Sequence, residues 1–105
     1  MKITAAVDAL AALAQESRLS IFRLLVQAGK EGLAAGVLGE KLGIPPATLS
    51  FHLKGLTHAK LVKSRTAGRY VIYTANYAEM DNLIAYLTEH CCVGDTTQCT
   101  PHKKC

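Results

Sequence analysis

The stretch IPPATLSFHLKGLTH, residues 44–58, decides the fold. Its Pro45-Pro46 pair suits the entrance of a helix, because the first helical turn leaves N–H groups unpaired and proline has none to lose. Three leucines then recur at i, i+4 and i+7, the spacing of one apolar stripe along a helix: Leu49, Leu53 and Leu56. The stretch therefore predicts a short helix that leucines hold against a core.

The residues off this stripe are mostly small, polar or basic: Thr48, Ser50, Phe51, His52 and Lys54. Threonine, serine and histidine can reach base edges or phosphates without blocking a DNA groove. We predict that Thr48, Ser50 and His52 enter a major groove and that Lys54 reaches a phosphate. An ordinary amphipathic surface helix would show a similar pattern, so the neighbouring segments decide between the two interpretations.

The segment before this helix predicts a second short helix. It carries Val37, Leu38 and Leu42 and ends at Gly43, a residue typical of helix C-terminal caps. Two short helices joined by a tight turn form a helix-turn-helix.

The segment after it predicts a β-hairpin. Residues 61–65 and 70–74 are rich in strand-forming side chains, and Gly68 lies in the turn between them. A helix-turn-helix followed by such a hairpin is a winged helix. We expect Arg65 and Arg69 of this wing to contact the DNA backbone or the minor groove.

The charges of this region have one sign. Residues 41–78 contain six basic side chains and no Asp or Glu: Lys41, Lys54, Lys60, Lys63, Arg65 and Arg69. A solvated face usually mixes both signs, so this run favours a polyanionic partner such as double-stranded DNA. The whole chain has a net charge of +4.

The remaining segments predict three further helices, two of them at the ends of one domain spanning residues 1–90. The first helix carries apolar residues at helical spacing: Ile3, Val7, Leu10, Leu13 and Ala14. The second helix begins after Ser17, which is a plausible N-cap. The last helix runs from Ala78 to His90 and carries Met80, Leu83, Ile84 and Leu87. This is a mainly α winged helix with about five helices. Its terminal helices carry more apolar surface than a small monomer can cover, so we expect a homodimer.

The chain has no apolar run of about 18 residues that could span a membrane, and its N-terminus does not read as a signal peptide. We therefore expect a cytoplasmic protein. All 4 cysteines fall in residues 91–105. In the cytoplasm this clustering indicates soft-metal or redox chemistry in a flexible tail.

Three segments together resemble the ArsR/SmtB family of metal-sensing bacterial repressors: residues 9–25 (ALAALAQESRLSIFRLL), residues 49–56 (LSFHLKGL) and residues 68–73 (GRYVIY). The resemblance covers about residues 5–92. It implies a homodimeric winged-helix repressor, not an enzyme, that leaves its operator DNA when a metal or metalloid binds.

The ligand positions depart from two branches of that family. One arsenic-sensing branch carries Cys-Val-Cys where this chain has Ala34-Ala35-Gly36. Zinc-sensing relatives place Asp and His along the last helix, which here offers Asp81, Glu89 and a terminal His90. The cysteines instead resemble those of a branch of arsenic repressors in which the thiols follow the last helix.

Soft trivalent arsenic and antimony prefer thiolates to oxygen donors. Cys91 and Cys92 are adjacent, and a regular helix would point them about 100° apart, so the helix must fray there. The loop that contains Gly94 can fold Cys99 back as a third ligand. We predict a site for arsenic(III) or antimony(III) at Cys91, Cys92 and Cys99, with Cys105 as a spare thiol and no organic cofactor.

Three alternatives remain open. Zinc or cadmium could take four ligands from a set of five: His90, Cys91, Cys92, Cys99 and His102. The usual Cys-x-x-Cys spacing of zinc sites is missing, however. A redox switch could join the thiols as disulfides, in three complete pairings. A small dithiol arsenate reductase would need an activated thiol in an anion pocket, which a tail after the last helix does not provide.

Overall fold

A computed structural model describes residues 1–91 of the chain, and within them it has five α-helices and a three-stranded sheet. The elements are α1 (Ile3–Leu13), α2 (Glu16–Ala28), β1 (Leu33–Ala34), α3 (Ala35–Leu42), α4 (Pro46–His58), β2 (Val62–Ala67), β3 (Tyr70–Ala75) and α5 (Tyr77–Thr88), with a 3₁₀ turn over Gly29–Glu31. The predicted winged helix-turn-helix is confirmed. None of the described helices is both long enough and apolar enough to cross a membrane.

The turn between α3 and α4 forms as its sequence predicts. Gly43 caps α3 in the left-handed conformation, with φ 66° and ψ 32°. Pro45 is the extended N-cap of α4, and Pro46 is its first residue, where no N–H is needed. The helix-turn-helix is thus set by local backbone chemistry.

The leucine stripe of α4 enters the core as predicted. Leu49, Leu53 and Leu56 are only 3%, 2% and 0% exposed. They belong to one cluster of buried residues that also includes fully buried side chains of α2, α3 and the segment before β2: Ile21, Leu25, Leu38 and Leu61. Burial of a leucine typically stabilises by about 1.5–3 kcal/mol, so these contacts supply most of the attachment of α4.

The start of α2 differs from the prediction. Gln15, not Ser17, is the N-cap, because the Gln15 side-chain oxygen accepts a hydrogen bond from the backbone N–H of Arg18 at 2.9 Å. Ser17 lies inside the first turn. Serine is the commoner cap residue, but glutamine has an amide oxygen that performs the same task here.

The first helix turns its smallest side chains inward. Ala6, Ala9 and Ala12 are buried, whereas three larger side chains are exposed on α1: Ile3, Val7 and Leu10. The alanines let α1 lie close to its neighbours α2, α4 and α5. The exposed side chains recur at i, i+4 and i+7 and form a second apolar stripe, on the outer side.

The wing is a hairpin of β2 and β3 with a short third strand. The antiparallel pairing runs from Val62 opposite Ala75 to Ala67 opposite Tyr70, and β1 pairs on the other edge of β3, with Leu33 opposite Tyr73. The strand order is β1-β3-β2. The segment before α3 therefore ties the helix-turn-helix to the wing.

The last helix, α5, is hydrogen-bonded to α2 near its start, and it ends before the first cysteine. The Tyr77 hydroxyl donates to the carbonyl of Val26 at 2.9 Å. After Thr88, Glu89 is extended, His90 has a φ of 61°, and the N–H of Cys91 donates to the Thr88 carbonyl at 2.9 Å. The helix thus ends two residues earlier than the predicted boundary at His90, and Cys91 lies outside it.

The close approach of the 3₁₀ turn to β3 gives a stability prediction. Gly29 and Gly32 both have a positive φ, 76° and 71° respectively. A Cβ at Gly32 would collide with the Tyr73 carbonyl oxygen and come within 2.6 Å of the Thr74 methyl group. A Cβ at Gly29 would meet nothing within 4 Å. Gly29→Ala should cost about 1–3 kcal/mol of unfolding free energy, because its extended backbone at positive φ, with ψ −161°, is nearly restricted to glycine. Gly32→Ala should cost several kcal/mol more, because β3 must move.

Urea unfolding followed by circular dichroism measures both changes. Equal destabilisation by the two alanines would show that the contact with Tyr73 does not limit this position.

Candidate nucleic-acid interface

The free side of α4 carries three of the predicted DNA-contacting residues. Thr48, Ser50 and Lys54 are all exposed. Ser50 and Lys54 lie one helical turn apart, so a hydroxyl and a cation project from neighbouring positions. Both groups suit contacts with base edges and phosphates.

The prediction that His52 lies on this free side is wrong. The side chain is 8% exposed and belongs to the buried side of α4. Its position, three residues after Leu49 and four before Leu56, borders the arc of the three leucines on a 3.6-residue helix. Its chemistry suggests a surface role, whereas its spacing is compatible with burial.

A basic residue of α2 reaches this histidine. Arg18 Nε donates to His52 Nδ1 at 3.1 Å, so the imidazole accepts through Nδ1. The guanidinium lies against Gly55, where a Cβ would be 2.7 Å from its central carbon. A glycine inside a helix usually costs about 0.5–1 kcal/mol relative to alanine, and here its missing side chain gives Arg18 its place.

Sequence reasoning had not assigned a role to Arg18. The helix-interior Gly55 was the available signal, because such a glycine often marks a close approach by another group. Nothing in the spacing of α2 and α4 identifies Arg18 as that group. Only the packing of the two helices brings these residues together.

Phe51 is the large apolar side chain on the free side of α4. It is 65% exposed. The Arg18 guanidinium carbon lies 5.4 Å from the centre of its ring, and the His52 ring centre lies 5.7 Å away at an interplanar angle of 60°. A cation within about 6 Å of an aromatic face is attracted by the ring quadrupole. The exposed ring therefore has a defined neighbour on one side.

The two wing arginines lie in different places. Arg69 is exposed in the turn between β2 and β3. Arg65 pairs with Ile72 within the hairpin, and one of its terminal nitrogens donates to the carbonyl of Glu31 at 3.0 Å. Arg65 thus joins the wing to the 3₁₀ turn, and Arg69 is the arginine at the tip.

The basic residues of the segment 41–78 are all exposed to solvent. Its six basic side chains are all exposed, on α3, α4, the α4–β2 connection and the wing: Lys41, Lys54, Lys60, Lys63, Arg65 and Arg69. No Asp or Glu interrupts residues 41–78. This surface has the charge that a DNA backbone requires.

The predicted thiol site falls mostly beyond what the structure describes. Cys91 is exposed just after α5. Cys92, Cys99 and Cys105 lie outside the described residues. Within residues 1–91, no three His, Cys, Asp or Glu side chains gather into a group that could hold a metal ion. The Asp81, Glu89 and His90 set that zinc-sensing relatives suggested therefore does not converge within one chain.

Comparison with known proteins places this arrangement in a family. A family described as a helix-turn-helix domain matches residues 13–65. The arsenical resistance operon repressor of Bacillus subtilis is 35% identical over 82 residues, covering 78% of this chain and 74% of that protein. The chain belongs to the ArsR family of transcriptional regulators.

Two further proteins similar to this chain are also transcriptional regulators. An uncharacterised helix-turn-helix regulator of Bacillus subtilis is 47% identical over 58 residues, which are 55% of this chain and only 57% of that protein. An ArsR-like regulator from Rhodococcus superposes with a TM-score of 0.78 at 26% identity, covering 90% of this chain and 87% of that one.

A homodimeric winged helix-turn-helix DNA-binding domain from Mycobacterium bovis superposes with a TM-score of 0.67 at 25% identity, covering 84% and 82% of the two chains. The helix-turn-helix family match over residues 13–65 runs from the end of α1 into β2, so it includes Arg18, His52 and Gly55 as well as the free side of α4.

Proposed function

We propose that this ArsR-family protein is a cytoplasmic repressor that binds double-stranded operator DNA as a homodimer and leaves it when arsenic(III) or antimony(III) binds Cys91, Cys92 and Cys99. The observation that carries the proposal is the free side of α4. It presents exposed hydroxyls and Lys54 beside a wing, within a sequence run, residues 41–78, that contains no Asp or Glu.

In the DNA complex, α4 lies in the major groove. Thr48 and Ser50 face base edges, Lys54 faces a phosphate, and Arg69 at the wing tip faces the backbone or the minor groove. His52 is buried, so its part is indirect: it holds Arg18 against α4. Arg65, hydrogen-bonded to the Glu31 carbonyl, keeps the wing in place and adds positive charge.

The dimer forms through the outer sides of α1 and α5. Both helices expose large aliphatic side chains: Ile3, Val7, Leu10, Ile84 and Leu87, between 43% and 65% exposed. The two helices contact each other, so their exposed side chains belong to one part of the surface. A two-fold axis there would place two α4 helices about 34 Å apart, the spacing of successive major grooves. The homodimeric relative supports this assembly.

The chemical identity of the inducer is argued from the three thiolate donors and from one relative of the chain. Three thiolates suit a soft trivalent metalloid, and the structure ends α5 at Thr88, so Cys91 is not constrained by helical geometry. The Bacillus subtilis relative is an arsenical resistance operon repressor. A thiol site at the end of α5 would act on a helix that contacts α1, which in turn contacts α4.

The DNA contacts are tested on a duplex selected from a randomised pool by the purified protein. Replacing Thr48 and Ser50 together with alanine should weaken binding at least tenfold, since each lost base contact costs about 1–3 kcal/mol. Ser20→Ala, exposed on α2, is the control. Arg69→Gln should reduce the dependence of log Kd on log salt by about 0.9 per lost phosphate contact. An unchanged affinity in the Thr48 and Ser50 double variant would contradict the assignment of α4.

The dimer is tested by light scattering. The parent should have the mass of a dimer at micromolar concentration without DNA, and Val7→Glu on α1 should give a monomer, because burying a lone carboxylate costs several kcal/mol. Val37→Glu, also at an exposed apolar position but on α3, should remain dimeric. A monomeric parent would contradict the proposed interface.

The inducer is tested by fluorescence anisotropy of the labelled duplex with rising arsenite. Cys91→Ser, Cys92→Ser and Cys99→Ser should each bind DNA as the parent does but resist release, whereas Cys105→Ser should release normally. Coupling between sites is typically about 1–3 kcal/mol, so saturating arsenite should weaken parental binding about 5- to 150-fold.

Two further outcomes distinguish the other inducers. Zinc releasing the parent far better than arsenite would favour a zinc or cadmium sensor. Release by a mild oxidant, reversed by a thiol reductant and absent with arsenite, would favour a redox switch.

A further inference from the structure

The ring of Phe51 is exposed on the same side of α4 as the residues proposed to contact DNA. It follows Ser50 directly and lies three residues before Lys54, and 65% of it is accessible. Single exposed apolar residues are common on protein surfaces and need no partner. Phe51 is distinguished by what holds it.

The Arg18 guanidinium lies over one face of the Phe51 ring, and three contacts fix the position of Arg18. Its backbone N–H donates a hydrogen bond to Gln15 Oε1 at 2.9 Å, and its Nε donates to Nδ1 of buried His52 at 3.1 Å. Its guanidinium occupies the space that a side chain at Gly55 would fill. The guanidinium carbon is then 5.4 Å from the Phe51 ring centre. A ring packed against an anchored group loses little further freedom on binding, which favours affinity.

The chemistry of the major groove decides what such a ring meets there. Bases in a duplex stay stacked and present only their edges, and on those edges the apolar group is the C5 methyl of thymine. A hydrophobic ring on a helix in this groove therefore distinguishes thymine from the other bases.

We propose that Phe51 is a specificity-determining residue whose ring contacts one thymine methyl in each half of the operator. Arg18 is the positioning residue that holds the ring at that methyl group. This inference rests on the proposed function, because it requires α4 in the major groove.

The test removes single methyl groups from the DNA. In the duplex selected by the parent protein, each thymine is replaced in turn by deoxyuridine, which lacks only the C5 methyl. Parental binding should weaken about fourfold at one position per half-site, the factor expected for losing burial of one such group. Phe51→Ala should bind the thymine and deoxyuridine duplexes equally well. Ser50→Ala should bind both more weakly but keep the ratio.

Arg18→Met tests the positioning role. The thymine-to-deoxyuridine ratio should fall towards one, while the salt dependence of binding stays as in the parent, because the proposed role of Arg18 is to hold the Phe51 ring and not to neutralise a phosphate. Arg23→Met, at an exposed position of the same helix, should keep the parental ratio. Circular dichroism confirms that each variant is folded.

The outcomes separate the two proposals. A selected duplex that the parent binds equally with thymine or deoxyuridine at every position would overturn the role of Phe51 and leave the repressor function intact. The same conclusion follows if Phe51→Ala keeps the parental ratio. If Arg18→Met keeps it while Phe51→Ala loses it, Arg18 has no positioning role. If no duplex is selected at all, the proposed function fails, and this inference fails with it.

Discussion

The orientation of α4 depends on one contact, that of the Arg18 guanidinium with His52 and Gly55. The buried leucines attach α4 to the core, but apolar packing is non-directional and tolerates small rotations of a helix. A hydrogen bond of 3.1 Å between a fork-shaped cation and a ring nitrogen is directional, and such bonds to charged groups contribute about 1.5–3 kcal/mol. The leucines therefore attach one side of α4 to the core, and the contact with Arg18 adds a directional constraint on the rotation of the helix.

The same arginine lies where the parts of the chain proposed to form the dimer and to contact DNA meet. Arg18 is in the first turn of α2, immediately after the Gln15 cap that follows α1. Through its inward alanines, α1 lies close enough to contact α2, α4 and α5, so a shift at the end of α5 has a short path to the recognition helix. Packed rigid elements that have two discrete arrangements are one route by which coupling between distant sites travels. In the proposed repressor, this path links the thiols to the operator.

In the proposed operator complex, the free side of α4 combines two ways of contacting DNA. Lys54 and the exposed basic residues of the wing can neutralise phosphates, which gives affinity without sequence information. The hydroxyls of Thr48 and Ser50 and the ring of Phe51 are short or rigid, so they suit base edges, where sequence is read. The wing is braced through Arg65 and the Glu31 carbonyl, which leaves Arg69 at its tip.

The sequence by itself determined the winged helix-turn-helix, because its signals are local. Proline at a helix start, Gly43 at a helix end, Gly68 at a hairpin turn and leucines at helical spacing each act over a few residues. Only the tertiary structure decided what covers the side chains next to each predicted apolar stripe. On α1 it placed alanines inside and larger side chains outside, and on α4 it buried His52 and exposed Phe51. The physical reason is that periodicity gives the angles between side chains on a helix, whereas the neighbour that covers a given angle, here Arg18 of α2, comes from a distant part of the chain.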